Sequence, residues 1–228
     1  YELDPAGTPF ETHLMWFTGP RLVRAAAYRW AADARDATLV EDSEIVPVPG
    51  ALKRNWFSPG VEAQLNLDFV VTGFLLPVSS RQLHRGGQIE DWNERGWFAP
   101  KLRAGDFASL PRLAPLDDAT APLELRVRSY LDVNCSACHR PGGPSRGNYD
   151  ARLATPLADQ KLVHGELVAG DLGIAGARVI VPGSLEKSAL YQRLNRNDFF
   201  RMPPVSVNDE AQPVLPVLAE WIRQLKAQ

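Results

Sequence analysis

The stretch Leu123-Glu-Leu-Arg-Val-Arg-Ser-Tyr-Leu-Asp-Val-Asn-Cys-Ser-Ala-Cys-His139 decides both the fold of the second half of the chain and its chemistry. Leu123, Val127, Tyr130, Leu131 and Asn134 recur at helical spacing on one face, so the sequence predicts a helix within 120–140. Thr120 offers a cap, and Pro122 sits where a first-turn proline is tolerated. The helix runs straight into Cys135-Ser-Ala-Cys138-His139. Two cysteines separated by two residues and followed at once by histidine form the attachment pattern of a c-type haem. The spacing has a physical reason. Two sulfurs at this separation reach the two vinyl groups of one porphyrin, and the next residue presents its imidazole to the iron from the same side.

Other readings of the motif are weaker. Cys135 and Cys138 are the only cysteines in 228 residues, which excludes a disulfide scaffold. A zinc site needs four ligands, and no second cysteine pair exists; His164 and an acid would have to complete it at irregular spacing. A thioredoxin-like pair opens a helix after a strand; this pair follows a helix, and His139 is extra. A single structural disulfide stays open as an alternative.

A second axial ligand has to come from downstream. Met202 lies in Arg201-Met-Pro-Pro204, between two helical segments, where Pro203 and Pro204 stiffen an extended path. The bland alternative is that Met202 packs in the core, the commoner fate of methionine. His164, in Lys161-Leu-Val-His-Gly165, is the rival ligand. Met15 sits in a strand-like apolar run and reads as core, and His13 and His84 read as surface or structural. Arg140, Arg146 and Arg201 lie near the motifs and face either haem propionates or solvent. The Pro141 carbonyl is a candidate acceptor for the ring N–H that orients His139.

Working outward, residues 1–50 read as strands: Glu11-Thr-His-Leu-Met-Trp-Phe17, then 22–30, 38–40 and 44–48, with Thr18-Gly-Pro20 as a turn signal. The Ala25-Ala-Ala27 run fits a helix equally well. Prolines 47 and 49 suit an edge strand. Short helices are predicted around 61–67 and 88–95, and the proline-rich 99–121 reads as a boundary. After the polar 140–183 stretch, a short helix is predicted from about Ser184, with Leu190, Tyr191 and Leu194 on one side. A final helix is predicted over about 210–226, with Leu218, Trp221, Ile222 and Leu225 forming its apolar stripe.

Composition narrows the function classes. With 45% hydrophobic and 23% charged residues, wholesale disorder is excluded. A net charge of −2 leaves no nucleic-acid footprint. No run approaches the roughly 18 apolar residues of a transmembrane helix; the longest, 67–78, is broken by Asp68, Thr72, Gly73 and Pro77. The sequence starts at Tyr1, which reads as a processed product whose signal peptide has been removed.

Beyond these motifs, Ser129-Tyr-Leu-Asp-Val-Asn-Cys-Ser-Ala-Cys-His-Arg-Pro-Gly-Gly-Pro144, Val181-Pro-Gly-Ser-Leu-Glu-Lys-Ser-Ala-Leu-Tyr191, Arg201-Met-Pro-Pro204 and the helix bearing Trp221 and Ile222 resemble the C-terminal haem segment of a family of bacterial secreted dihaem c-type cytochromes. Thr18-Gly-Pro-Arg21 and Ala27-Tyr-Arg-Trp-Ala-Ala-Asp-Ala-Arg-Asp-Ala-Thr-Leu-Val40 are similar to that family's β-rich entry segment. Trp56-Phe-Ser-Pro-Gly-Val-Glu62, Arg81-Gln-Leu-His84 and Gly96-Trp-Phe98 resemble the flanks of its first haem motif. There the chain departs. It reads Glu62-Ala-Gln-Leu-Asn-Leu67, with Ala63 and Asn66 in place of the cysteines and Leu67 in place of the histidine.

The resemblance therefore implies one covalent haem c held by Cys135 and Cys138, with His139 and Met202 as axial ligands and the first haem site lost. The vacated site is expected to be refilled by Leu65, Leu67 and Phe69. The expected class is α+β: a β-rich segment 1–55, a vestigial haem-less segment with linker over 56–111, and an all-α cytochrome c domain over 112–228. The expected function is electron transfer to and from redox partner proteins, outside the cytoplasm, in the periplasm or beyond the cell. The alternatives are a peroxidase-like enzyme or small-ligand binder with an open or displaceable sixth position, and a haem-bearing subunit of a larger redox complex.

Overall fold

A computed structural model of the chain describes residues 8–19, 22–48, 55–61, 79–204 and 212–226. The chain divides into two compact units, Tyr1–Leu75 with Arg193–Gln212, and Leu76–Gln192 with Pro213–Gln228. Together the described residues combine antiparallel sheets with six α-helices, the expected α+β mixture.

In the first unit, β1 (Glu11–Gly19), β2 (Leu22–Trp30) and β3 (Ala37–Leu39) form an antiparallel sheet in that order. The turn signal at Thr18-Gly-Pro20 falls where β1 hands over to β2, with Met15 opposite Ala25 and an irregularity between Phe17 and Gly19. Ala25, Ala26 and Ala27 are successive buried strand residues. Successive strand side chains point to opposite faces, so this run is covered on both. Alanine favours helix intrinsically, but pairing along β1, with the Ala27 carbonyl also accepting the Val40 amide, outweighs that weak preference. A second antiparallel pair joins β4 (Glu44–Pro47) to β5 (Asn55–Ser58). The proline at 47 lies in β4, an edge strand among the described residues.

Glu11 is fully buried at the head of β1. Its carboxylate accepts hydrogen bonds from Trp56 Nε1 (3.0 Å), Arg29 Nη2 (3.3 Å) and the Ser58 hydroxyl, and meets His13 Nε2 at 2.5 Å. A buried charge is tolerated only when saturated in this way. Trp56 and Ser58 belong to β5, so this carboxylate fastens the hairpin to the first sheet. Burial pushes the Glu11 carboxyl up, but hydrogen bonds from His13, Ser58 and Trp56, with the charge of His13, outweigh it and hold the pKa at about 2.

The second unit holds α1 (Ser80–Leu83), α2 (Gln88–Glu94), α3 (Ala104–Ser109), α4 (Leu123–Asn134), a 3₁₀ turn at Leu157–Asp159 and α6 (Leu215–Gln224); α5 (Ala189–Leu194) crosses the break at Gln192. Helix α4 packs on α6. Val127 and Leu131 of α4 and Leu218, Trp221 and Ile222 of α6 are buried, as are Leu162 and Ile180 from the intervening segment. Each such side chain contributes about 1.5–3 kcal/mol relative to exposure.

Several local expectations change. Pro122, not Thr120, occupies the N-cap position of α4, with no side-chain capping bond. The Thr120 amide and hydroxyl both bond Asp118 Oδ1, at 3.0 and 2.6 Å, a local turn that competes with capping. The proline-rich 99–121 stretch contains α3, opened by Asp106 accepting the Arg103 amide at 2.7 Å. The segment from Ser184 runs as turns until α5 begins at Ala189. Ser188 Oγ holds it, donating to the Ser184 carbonyl at 2.6 Å and accepting the Val181 amide at 2.9 Å. The helix predicted at 61–67, the degenerate motif at Ala63, Asn66 and Leu67, and the refilling residues Leu65 and Phe69 lie outside the described residues. Among the described residues, no helix is long and apolar enough to cross a membrane.

The Glu11 geometry sets a pH dependence. Its folded pKa is depressed, so its stabilisation is fully present above the ordinary value of 4.5 and is lost as pH falls toward about 2. Denaturant unfolding between pH 6 and pH 2 (roughly the window that linkage defines) should lose on the order of 3 kcal/mol from this group. Glu11→Gln should be less stable at neutral pH and lack that component; an unchanged pH slope in Glu11→Gln contradicts the assignment.

Candidate functional site

The motif sits on the turn that ends α4. Cys135 is the C-cap residue, its amide donating to the Leu131 carbonyl at 2.9 Å. The Cys135 carbonyl then accepts two amides, from Cys138 at 3.1 Å and His139 at 2.8 Å. This closes a single tight turn and places both thiols and the imidazole on it. Cys135 and Cys138 are unbonded thiols, each half-buried.

Two buried carboxylates hold the turn from behind. Asp132, in the last turn of α4, pairs with Arg81 through two contacts of 3.2 Å and accepts the Leu153 amide at 2.8 Å. Its backbone carbonyl accepts the Ser136 hydroxyl at 2.5 Å. Asp150 accepts from the Arg152 guanidinium and, at 2.7 Å, from the Thr155 hydroxyl. Burial pushes the Asp150 carboxyl up, but these hydrogen bonds and the Arg152 charge outweigh it and hold the pKa at about 2. The next residue, Ala151, donates its amide to the His139 carbonyl at 2.8 Å. The returning strand of chain is thereby fixed against the motif.

The loop between them wraps the His139 ring. Tyr149 stacks on it, with centroids 4.3 Å apart and planes 20° apart. Ser145 Oγ lies 3.1 Å from Nδ1 and 3.4 Å from Nε2. Gly147 passes so close that a β-carbon there would come within 2.9 Å of Cε1 and 3.0 Å of Nδ1. Only glycine permits that approach.

The thiols are poor acids. Burial, reinforced by the neighbouring charge of Cys138, pushes Cys135 up to about 12. Burial also raises Cys138, against the opposing charge of Arg140. Burial raises Tyr130 to about 12, with Cys135 adding to it.

Of the residues picked out in the sequence, Cys135, Cys138, His139 and Pro141 fall on one turn and loop of the second unit. Arg140, from the same loop, donates Nε to the Ala137 carbonyl at 3.2 Å, and Arg146 is exposed. Arg201 and Met202 belong to the Arg193–Gln212 segment of the first unit. Arg201 is buried and Met202 half-buried; the Met202 amide donates to the Arg193 carbonyl at 2.9 Å, and the Met202–Pro203 peptide is cis. His164 is exposed, with a positive φ of 57°, and its amide bonds the Ile180 carbonyl at 2.9 Å. His13 meets Glu11, while the buried His84 bonds the Leu110 carbonyl at 3.1 Å through Nδ1 and Arg112 Nη2 at 2.9 Å through Nε2. Both are structural. The side chain of Met15 lies outside the described residues.

The donor set fits a covalently held haem better than a metal ion bound by the protein alone. Among the described residues, no group of three or more His, Cys, Asp or Glu side chains is placed to hold a metal ion. Zinc therefore finds no ligand set there. Two neighbouring unbonded thiols and an imidazole on the same turn fit thioether formation and axial ligation, with Ser145 and Gly147 packed against the Cε1 side of that ring. Sequence reasoning passed over Ser145, Gly147, Tyr149, Asp132 and Asp150. Only the Ser-Arg-Gly run at 145–147, polar and flexible, signals a loop able to fold onto a ring.

Comparison with family models, with curated proteins and with solved structures finds no match for this chain.

A raised thiol pKa is measurable. With Cys135 near 12 rather than the ordinary 9.0, the folded haem-free chain holds roughly a thousandfold less thiolate at this residue than the denatured chain at mildly alkaline pH. Mass-resolved alkylation should show Cys135 modified far more slowly before denaturation than after it. Equal rates in the two states contradict the burial.

Proposed function

We propose that the chain transfers single electrons through one covalently attached c-type haem, with His139 and Met202 as axial ligands. The observation that carries this reading is the Cys135-Ser-Ala-Cys138-His139 turn at the end of α4, with both thiols unbonded and one edge of the imidazole packed under a loop. When bound, the haem supplies a reversible ferric–ferrous couple. Cys135 and Cys138 would hold it through thioethers, and the His139 imidazole would bind the iron. Met202, chosen from the Arg-Met-Pro-Pro pattern, is the sixth ligand in this reading. A thioether sulfur favours ferrous iron and raises the potential over a second imidazole. With His139 and Met202 both bound to the iron, substrate would have no place on it, which favours electron transfer over catalysis.

With two cysteines in the chain, one such haem consumes both. A single redox centre shuttles electrons between partner proteins. Thioether attachment in bacteria takes place outside the cytoplasm, so the compartment in this reading is the periplasm or the exterior. The resemblance to secreted dihaem cytochromes supports the same reading, with the first site lost at Ala63, Asn66 and Leu67.

Visible spectroscopy of the protein from a host competent for haem attachment tests the assignment. The expected result is a low-spin spectrum in both oxidation states, the weak far-red band of methionine sulfur on ferric haem, and no shift with carbon monoxide. Met202→Ala should turn high-spin and bind carbon monoxide, and Met202→His should return to low spin at a lower potential. A wild-type protein already high-spin and reactive with carbon monoxide supports the peroxidase-like alternative instead.

A further inference from the structure

The torsion that turns a histidine ring about its Cβ–Cγ bond is intrinsically broad. An imidazole that must stand in one plane therefore needs that plane set by its surroundings. At His139 the polar loop supplies a flat face. Tyr149 is 9% exposed and lies against the ring, with centroids 4.3 Å apart and planes 20° apart. Aromatic rings in face contact resist the rotation of either out of the shared plane. The backbone that carries Tyr149 is itself held. The Asp150 amide donates to the Gln160 carbonyl at 2.8 Å, and the Ala151 amide to the His139 carbonyl at 2.8 Å. The second bond runs back to the residue whose ring is covered, so one register fixes both the chain path and the stack. A β-carbon at Gly147 would come within 2.9 Å of Cε1, so the ring is bounded at that atom as well.

We infer that Tyr149 is a positioning residue: its ring sets the plane of the His139 imidazole. This rests on the haem reading for what the imidazole binds, but the stack itself does not. Outer partners that hold a ligand ring in one orientation tune the metal it binds. The plane of an imidazole on ferric iron helps to select the d orbital that holds the unpaired electron, and with it the porphyrin edges that share that electron. Tyr149 thus acts on where spin lies around the haem, not on which atoms ligate.

The test compares wild type, Tyr149→Phe and Tyr149→Leu by proton NMR, all made in a host competent for haem attachment. In reduced wild type, the ring protons of His139 and Tyr149 should show mutual nuclear Overhauser contacts. In the ferric state, the haem methyl resonances should keep their wild-type order and spread in Tyr149→Phe, which retains the aromatic face. They should change in Tyr149→Leu, which lacks it. Absence of the contact in wild type overturns the role, even where the Leu variant fails to fold. One methyl pattern in all three chains overturns it too, as does a pattern already changed in Phe as much as in Leu. A colourless chain of unmodified mass is a failure of the haem reading, and the haem-free full chain still reads the stack. There, His139 ring protons shifted upfield of their denatured positions in wild type and Phe, but not in Leu, support the role; denatured positions in wild type overturn it.

Discussion

The site depends on one doubly used acceptor, the Cys135 carbonyl. By taking the amides of both Cys138 and His139, it closes the end of α4 into a turn in which three chemically useful side chains cannot separate. The last carbonyls of a helix need partners from outside it. Here the motif supplies some of them, the Cys135 and Ser136 amides on the Leu131 carbonyl and the Ser136 hydroxyl on the Asp132 carbonyl, and the rest of the second unit is arranged to keep it so. Asp132 ties the last turn of α4 to Arg81 and to the Leu153 amide, and Asp150 stiffens the segment whose next residue bonds the His139 carbonyl. The apolar contact of α4 with α6 supplies the energy; the buried carboxylates supply the register. Breaking one partner of such a pair leaves an uncompensated buried charge, which is why these interactions specify geometry more strongly than they add stability.

Much of the fold was legible in the sequence because its signals are local. Strands β1 to β4 follow runs of apolar and aromatic residues between turn formers, and α4 and α6 follow helical spacing. The ambiguous Ala25-Ala-Ala27 run was settled only by its pairing with β1 and its burial on both faces. Short α3 was missed because a helix of this length has little periodicity and rests on its own capping contact. The helix expected from Ser184 begins later because Ser188 uses its hydroxyl on the preceding turn.

The site was legible in part. Cys135, Cys138 and His139 are read directly from spacing. What holds them is long-range: Arg81 and Asp132 are 51 residues apart in sequence, and Leu153 is 21 from Asp132. No local pattern marks such pairs. The same holds in the first unit, where Glu11 reads as a polar strand end yet is buried against Trp56 and Ser58, 45 and 47 residues away. The contacts of Ser145, Gly147 and Tyr149 with the His139 ring depend on the path of a polar loop, which composition does not prescribe.

The account stands on the claim that both cysteines serve one covalent haem. Intact mass under denaturing conditions, with iron determined on the same protein, tests it most directly. The result predicted for chain made in a host competent for haem attachment is the polypeptide plus one haem, one iron per chain, and loss of the attached haem in Cys135→Ala/Cys138→Ala. Unmodified mass with free thiols or a disulfide contradicts the central claim, and two irons per chain contradict the single site.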